Sequence, residues 1–334
     1  MKAPLLAAVA VLSLLPAQAL AWGAMGHRIV GEAAMKALPN EVPAFLRTPG
    51  AVRDVGELSR EQDRSKGAGR IHDHNRDAGH FLDLDEDGKL LGGPSFLPLP
   101  NTRADYEKGL QAAGLDSWKA GYLPYSIIDR HQQLAKDFGY WRVLKTMAAR
   151  EKNPVRRAWY ARDLIRREGQ ILQTIGDLSH FVGDGAQPLH VTVHYNGWGE
   201  FPNPNGYTTA KVHGPFESEF VFANVKPAAV AAKLAPLKPS EGPIEKRTVE
   251  YLMETATQVI PFYEMEKAAG LTPGDRRGVE FATARLAVGA SELRDMVVSA
   301  WRGSERVTVG WPVVRVDDVL AGKVDPWDSL YGKD

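Results

Sequence analysis

The stretch from Asp163 to Asp184 constrains this chain more than any other. Leu164, Ile171, Ile175, Leu178 and Val182 fall within about 60° of arc when successive residues are set 100° apart. That spacing predicts a helix with one buried stripe. On the same projection, with Ile171 at zero, His180 and Asp184 lie at roughly 180° and 220°, across the helix from the stripe. Groups that can ionise do not sit opposite a core unless something polar faces them. The helix is therefore expected to be covered on both sides, by core on one and by a polar cavity on the other. Gly169, Gly176 and Gly183 line up beside the polar face, where a missing Cβ lets a second backbone come close. Gln173 and Asp177 share that face and are expected to support His180 and Asp184.

Similar stripes run from Ser126 to Arg150, from Ile244 to Met265, and from Val279 through Ala282, Leu286 and Leu293 to Val297. Alternating strand patterns are scarce. Pro and Gly gather in residues 92–100, 196–206 and 235–243, which read as loops. The expectation is one all-α domain over residues 22–305, followed by a tail, 306–334, whose Val307-Thr308-Val309 suits a short strand or a docked segment. The first 21 residues have a basic start at Lys2, an apolar run from Pro4 to Leu15 and the small-residue ending Ala19-Leu20-Ala21. This reads as a secretory signal, too short to span a bilayer, so the protein is expected to be exported, to a periplasm or the medium, and mature from Trp22.

The chain contains no cysteine, and its 41 basic side chains match its 41 acidic ones. Thiolate zinc sites, iron–sulfur clusters and cysteine nucleophiles are excluded, so any metal must be held by His, Asp, Glu or backbone groups. Removal of Lys2 leaves one more acid than base, which gives no overall positive field for nucleic acid. Imidazole and carboxylate side by side on one helix face suit a divalent ion such as zinc. A single His in a helix is ordinarily a surface or hydrogen-bonded residue, but this pair has company. After the helix breaker Pro188 comes His190, and further on His213 with Glu217 four residues later. Upstream stand His80-Phe81-Leu82-Asp83 and Asp63-Arg64-Ser65-Lys66, and the expected mature terminus reads Trp22-Gly23-Ala24-Met25-Gly26-His27.

Other polar clusters carry less. Asp83-Leu84-Asp85-Glu86-Asp87-Gly88 imitates the start of an EF-hand loop, yet its twelfth position is Pro94 where a Glu belongs. His72 and His74 read as solvated loop residues, His131 as a surface residue, and His194 as structural or substrate-facing.

With these motifs the sequence resembles the zinc-dependent phospholipase C and single-strand nuclease superfamily, whose nuclease branch is often called the S-one/P-one nucleases. The resemblance runs through motifs from Trp22 to Glu217 and implies an all-α fold holding three zinc ions. It implies that Asp63, His80, His180 and Asp184 bind one ion, and that His190, His213 and Glu217 bind a second. The third falls to His27, the bridging Asp184, and the freed α-amino group and carbonyl of Trp22. Asp63 is the upstream carboxylate chosen, with Asp73 and Asp77 as competitors, because the interval to His80 is longer than the family's.

The activity implied is phosphoester hydrolysis by a hydroxide held between metals, without a serine or cysteine nucleophile. Asp63, Lys66 and Asp184 are the catalytic candidates, Lys66 standing where the nucleases have Arg. The nuclease reading implies single-stranded nucleic acid or nucleotides as substrate, with Phe81 stacking on a base and Asp83 bonding its edge. The loop from Tyr195 to Tyr207 is expected to wall the cleft through Tyr195, Asn196 and Trp198. The alternative is a phospholipase C acting on phospholipid headgroups, favoured by Glu217, since the nucleases usually carry Asp there, and disfavoured by Arg64 beside Asp63, which would repel a cationic headgroup. A non-catalytic exported zinc-binding protein is the third reading. No sequence feature calls for a protein partner.

Overall fold

A computed structural model describes residues 22–332. The expected signal segment, residues 1–21, lies outside them. The fold is all-α. Its longer helices are α1 (Ala24–Lys36), α2 (Pro49–Leu58), α3 (Arg103–Ala112), α4 (Leu123–Arg150), α5 (Pro154–Ala186), α6 (Ile244–Ala256), α7 (Val259–Lys267) and α8 (Arg276–Gly303). The starts of several are written in the sequence. Thr48 accepts the amide of Ala51 ahead of Pro49, Asn153 accepts those of Val155 and Arg156 ahead of Pro154, and Asp275 accepts that of Arg277. The stripe read from Ile244 to Met265 is two helices, broken at Thr257 and Gln258, because apolar periodicity persists across a break that keeps both pieces on one core.

Helices α4 and α5 form a long hairpin of 28 and 33 residues. Against α5 pack α2 and α8, with α1 lodged between them. The second half of α5, from Thr174 to Ala186, is buried all round, as the two-sided pattern predicts. Its apolar side joins the main core with Leu286, Leu293 and Val297 of α8. Gly176 admits a backbone: a Cβ there would lie 2.4 Å from the Cβ and 2.9 Å from the carbonyl carbon of Leu58. Gly183 faces the ring of His27 instead, and Gly169 meets nothing, so only one of the three glycines serves the backbone approach expected of all.

Beyond α8, strands β1 (Thr308–Val309) and β2 (Val314–Arg315) pair antiparallel, and Val309, Val316 and Val319 bury against Val143 of α4. The tail is docked. Among the described residues no helix is long and apolar enough to cross a membrane.

Candidate metal centre

Each candidate ligand arrives on a short or terminal element. His180 and Asp184 come from the last turns of α5. Gln187 ends that helix, and its side-chain oxygen accepts the amide of Leu189, which shapes the 3₁₀ turn Pro188–His190 that presents His190. Asp63 lies in the one-turn helix Glu61–Arg64, and His80 closes the 3₁₀ turn Asp77–His80. Glu217 sits in a π-helical turn, Pro215–Phe220, a rare local winding found mostly at functional sites. His27 lies in the first turns of α1, directly after Gly23, whose Cβ, if present, would stand 3.1 Å from the Cα of Ser218.

These residues form three groups with mutually close ligand atoms: His27, His180 and Asp184; Asp63, His80 and His180; and His190, His213 and Glu217. The hydrogen bonds behind the rings set their tautomers. His180 Nδ1 donates to the carbonyl of Ser59 at 2.8 Å, His190 Nδ1 to that of His80 at 2.7 Å, and His213 Nδ1 to that of Tyr195 at 2.8 Å. A carbonyl only accepts, so in each ring Nδ1 carries a proton and the Nε2 lone pair is the one left to take a metal or a second proton. Those lone pairs meet other acceptors. His190 Nε2 is 3.1 Å from His213 Nε2, and Glu217 Oε1 lies 3.1 Å from the first and 2.8 Å from the second. His180 Nε2 is 2.9 Å from His80 Nδ1, and Asp184 Oδ2 lies 3.3 and 3.1 Å from the two.

Buried acceptors aimed at one another require a cation between them. Without metal a proton serves. Burial lowers the pKa of His190, but Asp184 and Glu217 outweigh it and lift the ring to about 9. His27 has no such relief. It is fully buried, its nearest carboxylate oxygen is Asp184 Oδ1 at 3.6 Å, and neither ring nitrogen has a hydrogen bond. Burial and the stacked His180, 4.0 Å away, push its pKa down to about 3. Asp184 Oδ1 and Glu217 Oε2 are likewise buried and unbonded. Each such group costs about 1–3 kcal/mol if left unsatisfied. A tetrahedral ion bound at about 2.0–2.1 Å sets its ligand atoms about 3.3 Å apart. The spacings within the groups start at 2.8 Å and stay within 4.8 Å, a range that brackets that value. The three buried groups can therefore hold metal ions. Among the competitors, Asp73 is engaged by His72 and the amide of Gly67, and Asp77 belongs to no group.

A cleft of about 530 Å³ opens on these groups, with His80, His190 and His213 in its lining. Phe81, Leu91, Trp118 and Leu189 give it apolar surface, and Lys66 and Lys119 positive charge. Lys66 bonds Asp63 at 2.6 Å, which offsets burial and, with His180, holds the Asp63 carboxyl down at about 2. Asp83 also lines the cleft. Burial raises its pKa well above the usual carboxylate range, and its Oδ1 is buried and unbonded.

Several sequence expectations need correction. Of the loop expected to wall the cleft, Tyr195 alone of the three named residues lines it. Asn196 spends its side-chain oxygen on the amide of His213, and Trp198 is buried, stacked on His194 at 3.7 Å. Asp177 accepts from Gln173 and Gln62, and neither Asp177 nor Gln173 has a hydrogen bond to a candidate ligand; backbone carbonyls hold the rings in their place. Arg64 is exposed and paired with Glu61, outside the cleft lining, so the charge argument against a cationic headgroup rests on the two lysines instead. His72 and His74 lie on a short helix, Arg70–His74, where His74 stacks against Trp118. His131 is half-buried, with both ring nitrogens shut from solvent and unbonded, and burial pushes its pKa to about 4; it is no surface residue. His194 is structural, held by Glu86 at 2.6 Å and the carbonyl of Trp198 at 2.8 Å.

Sequence reasoning missed Gln187, which donates to Glu217 Oε1 at 2.7 Å, and the cleft residues Trp118 and Lys119. Gln187 had a signal, standing between two candidate ligands at a helix end. Trp118 and Lys119 had none, because the one-turn helix that carries them, Ser117–Ala120, is brought to the cleft by tertiary packing. No protein-family model matches the chain, and no curated protein matches it either.

Proposed function

We propose that this chain is an exported zinc-dependent phosphoesterase, and foremost a single-strand-specific nuclease and 3′-nucleotidase. The observation that carries the reading is the set of buried imidazole lone pairs and carboxylates, aimed at one another in three groups and opening on one cleft. On this reading three zinc ions would be held, one by Asp63, His80, His180 and Asp184, one by His190, His213 and Glu217, and one by His27, Asp184 and the terminus of Trp22. Trp22 is buried, its indole donating to the carbonyl of Gly183 at 2.7 Å, which holds this residue beside Asp184. Zinc supplies Lewis acidity and lowers the pKa of bound water.

The protein's own residues select and orient the substrate. Lys66, charged and close to Asp63, attracts a phosphate to the ligand layer. Phe81 offers a ring for stacking, and Asp83, with its Oδ1 unbonded, offers a carboxyl group to a base edge. Trp118 adds a second aromatic surface. Export follows from the pattern of residues 1–21.

A phospholipase C is the second reading, favoured by Glu217 and by Leu91 and Leu189 in the cleft lining. Zinc-loaded protein is expected to degrade single-stranded DNA or RNA and to release phosphate from 3′-nucleotides. Turnover of phosphatidylcholine with neither of these would reverse the order.

A further inference from the structure

A second cleft, of about 470 Å³, backs onto the same ligand layer and shares no lining residue with the first. Gln62, the neighbour of Asp63, lines it, as does Phe181, whose ring meets those of His80 and His180 edge-on at 5.7 and 5.6 Å. The segment Asn75-Arg76-Asp77 divides the two: Asn75 and Arg76 line the second cleft and Asp77 the first. Arg76 is exposed, and its guanidinium makes no hydrogen bond or ion pair with the described residues. Beside it the guanidinium of Arg103 lies 3.5 Å over the ring of Tyr122, whose hydroxyl donates to the carbonyl of Asn75. The acids of this cleft are already engaged. Asp129 and Asp177 pair with Arg130, and Glu245 accepts from Gln132. On the dividing segment the unpaired charged side chains are Arg76, toward the second cleft and its stacked aromatic wall, and Asp77, toward the first, with its Oδ1 buried and unbonded.

We propose that the second cleft holds the neighbouring nucleotide of a single strand whose scissile phosphate lies at the metal-ligand groups. Arg76 contacts the phosphate that crosses the dividing segment, and the Tyr122–Arg103 stack faces the base beyond it. A single strand alternates one charge and one flat ring per residue, and the segment and the wall behind it present the complementary pair in that order. A mononucleotide fills only the first cleft. The proposal rests on the nuclease reading above and extends it from the reacting phosphate to the length of strand engaged.

The test compares decathymidylate with 3′-thymidine monophosphate on the zinc-loaded full mature chain. Arg76→Glu, a change at an exposed side chain, is expected to raise KM for the decamer about tenfold and to leave kcat/KM for the mononucleotide within about twofold. Arg76→Lys restores most of the decamer KM. The slope of log KM against log salt for the decamer falls by about 0.7 in Arg76→Glu, the share of one phosphate contact on a single strand. A structural defect would depress both substrates together and leave that slope unchanged. Turnover of both substrates with equal or no change in Arg76→Glu overturns the second cleft alone. Turnover of neither by the parent protein overturns the nuclease reading and the second cleft with it.

Discussion

At the scale of residues, Asp184 carries the most. It is fully buried, each of its oxygens faces a different imidazole group, and His180 and His190 together outweigh burial to hold its pKa well below the usual carboxylate range. Asp184→Asn keeps the shape and removes the charge, so it is expected to lose at least one bound ion per chain and about two orders of magnitude or more in rate. Elemental analysis and a turnover assay on the same sample check both. Asp83 makes the opposite prediction. Its folded pKa lies above the unfolded value of 3.8, so it stabilises the fold in full below that pH and progressively less as pH rises towards its folded pKa. Asp83→Asn removes that penalty. The variant is expected to melt above the parent at pH 8, with a gap that closes as pH falls through the folded pKa of Asp83 to its unfolded value of 3.8. The residues that hold the imidazoles were only partly legible. His180, His190 and His213 stand out by type and spacing, whereas their supports are the carbonyls of Ser59, His80 and Tyr195, and a backbone group leaves no mark in a sequence.

At the scale of elements, helix α5 delivers both halves of the argument, a core stripe and a ligand-bearing face. Its capping and its two-sided burial follow from Asn153-Pro154 and from the positions of the apolar residues, which is why they could be read in advance. The glycines on its polar side could not be told apart by projection, since their roles depend on what lies opposite. Gly176→Ala drives a Cβ into Leu58 at 2.4 Å and is expected to cost about 1–3 kcal/mol, whereas Gly169→Ala meets nothing and is expected to stabilise the fold by about 0.5–1 kcal/mol. Denaturant midpoints of the two variants give the comparison. The loop from Tyr195 to Tyr207 failed for the converse reason. Its aromatic richness is real, but Trp198 and Tyr207 pack on Tyr263 and serve the interior. Composition alone does not distinguish an aromatic cleft wall from an aromatic miniature core.

At the scale of the whole molecule, the ligand groups draw on residues from His27 to Glu217, and only folding brings them within a few ångströms. Helix α1 reaches the centre because Gly23 lets the chain pass against Ser218, and the indole of Trp22 ties it to Gly183. Metal bound across such distant segments stabilises the folded state alone, so chelation is expected to lower Tm, by an amount that grows with the free-metal concentration of the reference sample. On the proposed reading these segments close a three-ion zinc centre that needs the chain to start at Trp22. The direct measurement is the zinc content of the processed protein, by elemental analysis after extensive dialysis, beside a variant with one extra residue ahead of Trp22. Three equivalents are expected in the first and fewer in the second. Retention of less than one equivalent by the processed chain, or equal content in the two proteins, would contradict it.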